Sequence, residues 1–120
     1  MAKSALIVDD DPGVRDILGA ILRLDGWNVD TAADGVQAIR QLDRTSYSVV
    51  VLDLLMPLLG GEGVIEHIRS RGIKSPVVVV SAATDHDDFD SQVVSVVLHK
   101  PIEIGDLRTV LRAVTSNVPG

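Results

Sequence analysis

The sequence predicts an α/β protein, a doubly wound five-stranded parallel sheet with helices on both faces. Short, continuous apolar runs recur at residues 5–8, 49–52, 77–80 and 96–98, which is the pattern of strands covered on both faces. Stretches with apolar residues at helical spacing separate most of them, and strands alternating with helices pack as parallel sheets. With 120 residues, 46% of them apolar and only 23% charged, the chain is one domain's worth and long enough for a real core.

Taken in order, Ala5, Leu6, Ile7 and Val8 form the first strand. Asp11 then caps a helix with Pro12 at its first position, and Val14, Ile17, Leu18, Ile21 and Leu22 make its inner stripe before Gly26 ends it. Residues 27–32 read as a more polar strand near an edge. Asp34 caps a second helix with Val36, Ile39 and Leu42 inward. A third strand at 49–52 leads to a third helix marked by Val64, Ile65 and Ile68 and ended by Gly72. Four successive valines after Pro76 make the clearest strand in the chain. Between Ser81 and Ser95 the pattern is poor, so a fourth helix there is expected to be short or irregular. Residues 95–98 form the fifth strand, and Ile104, Leu107, Val110, Leu111 and Val114 draw the last helix. The core is expected over 3–115, with 116–120 a tail or the start of a linker.

Composition excludes several classes of function. A formal charge of −6 argues against nucleic-acid binding through this domain, because phosphate contact needs a basic face. No apolar run is long enough to span a bilayer, so no membrane partner is expected. Absence of cysteine removes disulfides and thiolate metal sites and is compatible with a cytoplasmic setting.

In such sheets the functional crevice lies beyond the carboxyl ends of the strands. The first strand ends there in Asp9, Asp10 and Asp11, the third in Asp53, the fourth in Ser81, and the fifth in His99, Lys100 and Pro101. Asp11 is read as a cap only. Converging carboxylates repel one another unless a cation compensates, and a hard divalent ion, Mg²⁺ or Mn²⁺, is the natural one. With a metal and an ammonium to neutralise oxygens and a hydroxyl to donate, the set suits a phosphoryl group, and Asp53 becomes its nucleophilic acceptor.

Val8-Asp9-Asp10 followed by Arg15, Asp53 with Met56-Pro57 and Gly61, Ser81-Ala82, and Lys100-Pro101 stand in order at the ends of successive strands. In these pieces the chain resembles the response regulator receiver domain of two-component signalling, over residues 3–115. The resemblance implies the flavodoxin-like strand order 2-1-3-4-5. It implies that Asp10 ligates Mg²⁺ directly, Asp9 partly through water, and that Asp53 and the backbone carbonyl of Leu55 complete the protein ligands. Ser81 and Lys100 would take phosphoryl oxygens, with the Lys100–Pro101 bond cis. A sensor histidine kinase or phosphotransfer protein would supply the phosphoryl group. The domain would act as a monomer or weak dimer on an output domain or target outside these residues. It would catalyse its own phosphorylation and dephosphorylation and turn over no separate substrate.

Departures from the family pattern carry expectations of their own. Val97 stands where an aromatic residue is usual, which removes the common rotamer swing that reports phosphorylation. The interval from Ser81 to Lys100 is a few residues short, and Gly60 replaces a polar residue, loosening the turn. Leu55 and Ala83 flank the site with apolar groups that cannot position water, so slow dephosphorylation is expected. His67 is read as a surface residue, His86 among its neighbouring aspartates as a solvated helix start, and His99 carries no assigned role. Three alternatives stand beside this reading. A receiver-like interaction domain not controlled by phosphorylation is the first. A phosphatase of the haloacid dehalogenase type lacks its second Asp, because Leu55 occupies that place. A nucleotide-binding module would need a phosphate loop where three aspartates stand.

Overall fold

The computed structural model describes residues 3–54, 60–81 and 92–116. The elements run β1 (Ser4–Val8), α1 (Pro12–Leu24), β2 (Asn28–Ala32), α2 (Gly35–Arg44), β3 (Val49–Asp53), α3 (Gly60–Arg71), β4 (Val77–Ser81), β5 (Val94–His99) and α4 (Ile104–Ser116). All strand pairs are parallel, in the order β2-β1-β3-β4-β5. The expected sheet and order are therefore present. The anticipated helix between Ser81 and Ser95 falls largely on 82–91, outside the described residues, as do His86 and all of the tail expected at 116–120 except Ser116, which ends α4.

Why the strands sit centrally follows from their alternation. Even-numbered residues of β1 and β3 (Leu6, Val8, Val50, Leu52) join one core cluster with Ala38 and Leu42 of α2 and Val64, Ile65 and Ile68 of α3. Odd-numbered ones (Ala5, Ile7, Val49, Val51) join a second cluster with Leu18 and Leu22 of α1 and Leu107 and Leu111 of α4. Every residue of β3 and β4 is buried. Each fully buried Val contributes about 1.5–3 kcal/mol, more than the roughly 1 kcal/mol net of a ladder hydrogen bond, so burial on two faces dominates the sheet's stability.

Helix ends obey their sequence signals. Asp11 Oδ1 accepts from the backbone N–H groups of Gly13 at 2.8 Å and Val14 at 3.3 Å, and Asp34 Oδ1 from that of Gln37 at 2.8 Å. At the other end of α1, the Gly26 N–H donates to Arg23 O and the Trp27 N–H to Leu22 O, both at 3.0 Å, closing the helix with a paired C-terminal motif.

Several expected inner positions are not inner. Ile17 is 60% exposed, Val36 40% and Ile104 45%. In α2 the inward stripe is Gly35, Ala38 and Leu42, one step round from the expected Val36, because small residues let that helix lie closer to β1 and β2 than a Val would. His67 is likewise not a bare surface residue: its Nε2 meets Asp43 Oδ1 at 2.8 Å, tying α3 to α2.

Candidate functional site

Strand phase brings the acids together. β1 and β3 are neighbours with Ile7 opposite Val51. Asp9 and Asp53 continue the odd-numbered series two residues on, so their carboxylates leave the same face of adjacent strands. Both are buried, at 3% and 4% exposure, whereas Asp10 is exposed. One carboxylate oxygen from each of Asp9, Asp10 and Asp53 lies within 4.8 Å of the others.

Lys100 reaches this cluster from the next strand but one. Its Nζ stands 3.6 Å from Asp53 Oδ2 and 4.0 Å from Asp9 Oδ2, with the side chain about one-third exposed at 34%. Its position is set by pairing rather than by the chain before it: the Lys100 N–H donates to Ser81 O at 2.9 Å, and Ser81 lies opposite His99. The Lys100–Pro101 peptide is cis. Ser81 is 1% exposed at the end of β4, and His99 is exposed. Of the expected site residues, Asp9, Asp10, Asp53 and Lys100 thus converge and Ser81 ends the strand beside Asp53. Leu55 lies outside the described residues, together with Met56, Pro57, Ala82 and Ala83.

Surrounding groups hold the loops in place. The Asp11 N–H donates to Asp9 Oδ1 at 2.9 Å, and the Arg15 Nη1 to the Asp9 carbonyl at 2.7 Å. Arg15 belongs to the sequence pattern without an evident role; here its guanidinium braces the turn that carries the acid pair. After β3, the Leu54 N–H bonds Val80 O and the Gly61 N–H returns to Leu54 O, each at 3.2 Å. A Cβ on Gly61 would stand 2.7 Å from Leu54 Cα and 2.9 Å from the Asp53 carbonyl, so only glycine lets α3 start against the end of β3. Gly60, expected to loosen this turn, instead occupies a left-handed conformation at φ +73° that glycine adopts without strain. Val97 is partly buried against the α2/α3 core cluster.

With this geometry established, comparison with known proteins identifies the family. The sequence signature described as the response regulator receiver domain matches residues 5–112. The chain belongs to the response regulator receiver family. Receiver domains are the phosphorylation-based signalling modules of two-component response regulators, and the relatives of this one are regulatory proteins. PrrA of Mycobacterium leprae, a transcriptional regulatory protein, is 42% identical over 83 residues, covering 69% of this chain and 36% of PrrA. The receiver spans about a third of the length of the curated relatives it matches, at 36% of each. Among solved structures, the response regulator TrrA of Thermotoga maritima, in complex with Mg²⁺-BeF, superposes with a TM-score of 0.85 at 26% identity, over 93% of this chain and 98% of TrrA. The receiver domain of the sensor histidine kinase PA1611 of Pseudomonas aeruginosa, with magnesium coordinated in its active-site cleft, gives 0.87 at 27% identity, over 98% and 100%. No helix among the described residues of this receiver is long and apolar enough to cross a membrane.

Proposed function

We propose that this domain accepts a phosphoryl group on Asp53 from a phosphohistidine of a sensor histidine kinase or phosphotransfer protein, with Mg²⁺ bound, Mn²⁺ being able to substitute. The observation that carries the reading is the convergence of three carboxylates, each offering an oxygen within 4.8 Å of the others, on a strand end that also holds an ammonium 3.6 Å from Asp53. All donors are hard oxygens, and ligand oxygens around an octahedral Mg²⁺ stand about 3–4 Å apart, so the cluster needs to close by at most about 1–2 Å. Asp10 and Asp53 would ligate directly, Asp9 partly through water, and the Leu55 carbonyl would complete the set. The ion supplies neutralisation of phosphoryl oxygens as charge builds on them.

The chain's own residues do the rest. An Asp53 carboxylate oxygen attacks phosphorus in line with the departing imidazole; the new P–O bond forms as the P–N bond breaks, and the histidine nitrogen keeps the electron pair. Lys100, already beside Asp53, moves its charge onto a phosphoryl oxygen, and the Ser81 hydroxyl donates to another. Beside the site, a groove of about 530 Å³ lined by Val14, Ile17, Leu18, Lys100, Pro101 and Ile102 offers apolar surface next to the ammonium. It suits an apolar face of the phosphodonor, and that use accounts for Ile17 standing 60% exposed. Residues 1–120 act as one receiver in the cytoplasm, as a monomer or weak dimer, upstream of an output domain or target.

Beryllofluoride with Mg²⁺, or a small phosphodonor, tests the reading. Wild type should gain one adduct, and Asp53→Asn none. An unmodified wild type, or an adduct that survives Asp53→Asn, overturns it. In the first case, or where phosphorylation alters no partner contact, the receiver-like interaction module not controlled by phosphorylation takes its place. Val97 is what favours that second reading, since it supplies no aromatic swing.

A further inference from the structure

At the end of the sheet opposite Asp53, a second concavity combines features that the phosphoryl site does not use. Lys3, just before β1, and Asp25 and Trp27, just before β2, face Arg108, Leu111 and Arg112 of α4 across a cleft of about 330 Å³. Its lining holds three cations and one carboxylate, in a chain whose formal charge is −6. The carboxylate is already committed: Arg108 Nε donates to Asp25 Oδ2 at 2.8 Å. Lys3 and Arg112 have no carboxylate partner among the described residues. Lys3 is nevertheless held in place, its Nζ 3.2 Å from Thr115 Oγ1 and 5.8 Å from the centroid of the Trp27 ring. Leu111, 2% exposed, forms an apolar floor, and Trp27 is half-buried.

We propose that this cleft binds a small planar organic anion, its ring on Trp27 and Leu111 and its oxyanion between Lys3 and Arg112. The charge pattern selects the sign, because two cations with no carboxylate partner among the described residues gain most from an oxyanion that accepts from both. A flat apolar body is selected by the indole face and the leucine floor. Size selects the class. At about 330 Å³, near the lower limit of ligand pockets, which run from about 300 to 1,000 Å³, the cleft suits one ring with its acidic group. Asp25 acts here as a spacer: by taking up Arg108 it leaves the cleft with two cations at its rim and keeps the third from crowding the ligand. The site stands apart from Asp53, and its occupancy does not depend on the phosphoryl-acceptor reading.

Trp27 is the chain's single tryptophan, so its emission reports on this cleft alone. Benzoate is the probe, titrated at constant ionic strength into the intact domain, with benzyl alcohol as the neutral match. A saturable change with benzoate is expected in the millimolar range, as befits a ligand of about nine heavy atoms, and no saturation with benzyl alcohol. Arg112→Ala, at an exposed position, should weaken benzoate at least tenfold while leaving the far-ultraviolet dichroism unchanged, and Arg112→Lys should recover part of the loss. Two results would overturn the proposal: linear quenching shared by benzoate and benzyl alcohol, or a benzoate curve unaltered in a folded Lys3→Ala, Arg112→Ala double variant.

Discussion

Replacing Asp53 by Asn removes one of three converging charges and keeps the side chain's shape, so it isolates the electrostatics of the acid cluster. With oxygens no more than 4.8 Å apart, each of the two repulsions on Asp53 is worth about 3–4 kcal/mol at an effective dielectric of about 20. The opposing attraction to Lys100 at 3.6 Å is worth about 4–5 kcal/mol on the same footing. Repulsion therefore wins by about 2 kcal/mol. Because Asp10 and Lys100 both stand partly in solvent, each part shrinks, and about 1–2 kcal/mol of net strain remains. In chelator at neutral pH and low salt, Asp53→Asn should melt about 3–8 °C above wild type. Adding Mg²⁺ should raise wild type more than the variant, narrowing or reversing the gap. A variant that melts at or below wild type in chelator would refute the reasoning, since it would mean that Lys100 more than balances the acids.

Lys100→Met should act in the opposite direction on the metal-free domain, lowering its stability by about 1–2 kcal/mol; it should also tighten Mg²⁺ several-fold by calorimetry and abolish phosphoryl uptake. Gly61→Ala should cost about 2–4 kcal/mol in denaturant midpoint, because the added methyl meets backbone on both Leu54 and Asp53. Burial, reinforced by the hydrogen bond from its hydroxyl to Asp30 Oδ2 at 2.7 Å, pushes the Tyr47 phenol up to about 12. The folded form thus holds its proton where an unfolded chain has lost it. Stability should be intact below pH 10 and fall by about 2–3 kcal/mol as pH rises toward 12, because each pH unit across which only the folded phenol keeps its proton costs about 1.4 kcal/mol. Tyr47 is the only tyrosine, so absorbance near 295 nm follows it directly, and Tyr47→Phe should flatten that part of the stability profile.

Where the sequence was informative, one physical rule sufficed. Strands buried on both faces must be continuous apolar runs, so 5–8, 49–52 and 77–80 stood out and their ends pointed to Asp9, Asp53 and Ser81. Helix faces were harder, for a reason visible in α2: Val36 is the more apolar residue, yet Ala38 is fully buried and Val36 40% exposed. Periodicity finds a stripe, while close packing against the sheet chooses between adjacent stripes, and it favours small residues. Contacts between side chains distant in sequence left no local trace. Nothing around His67 announces Asp43, and nothing around Tyr47 announces Asp30. Arg15 was visible as part of a pattern, but its bond to a backbone carbonyl involves no residue type that a sequence could show.

The pairing of β4 with β5 has one further consequence. Val77 lies opposite Val94 but Val78 opposite Val96, so Ser95 is an extra residue bulged out of the ladder. That single step resets the phase of β5, and it is why Val94 and Val97, three apart, share one core cluster while Leu98 joins the other. Lys100 therefore takes its address from the ladder. The stretch between Ser81 and Val94 can shorten or lengthen in evolution without moving the ammonium, and deleting Ser95 would leave a regular ladder in which Val96 still faces Val78 and Lys100 keeps its place beside Asp53.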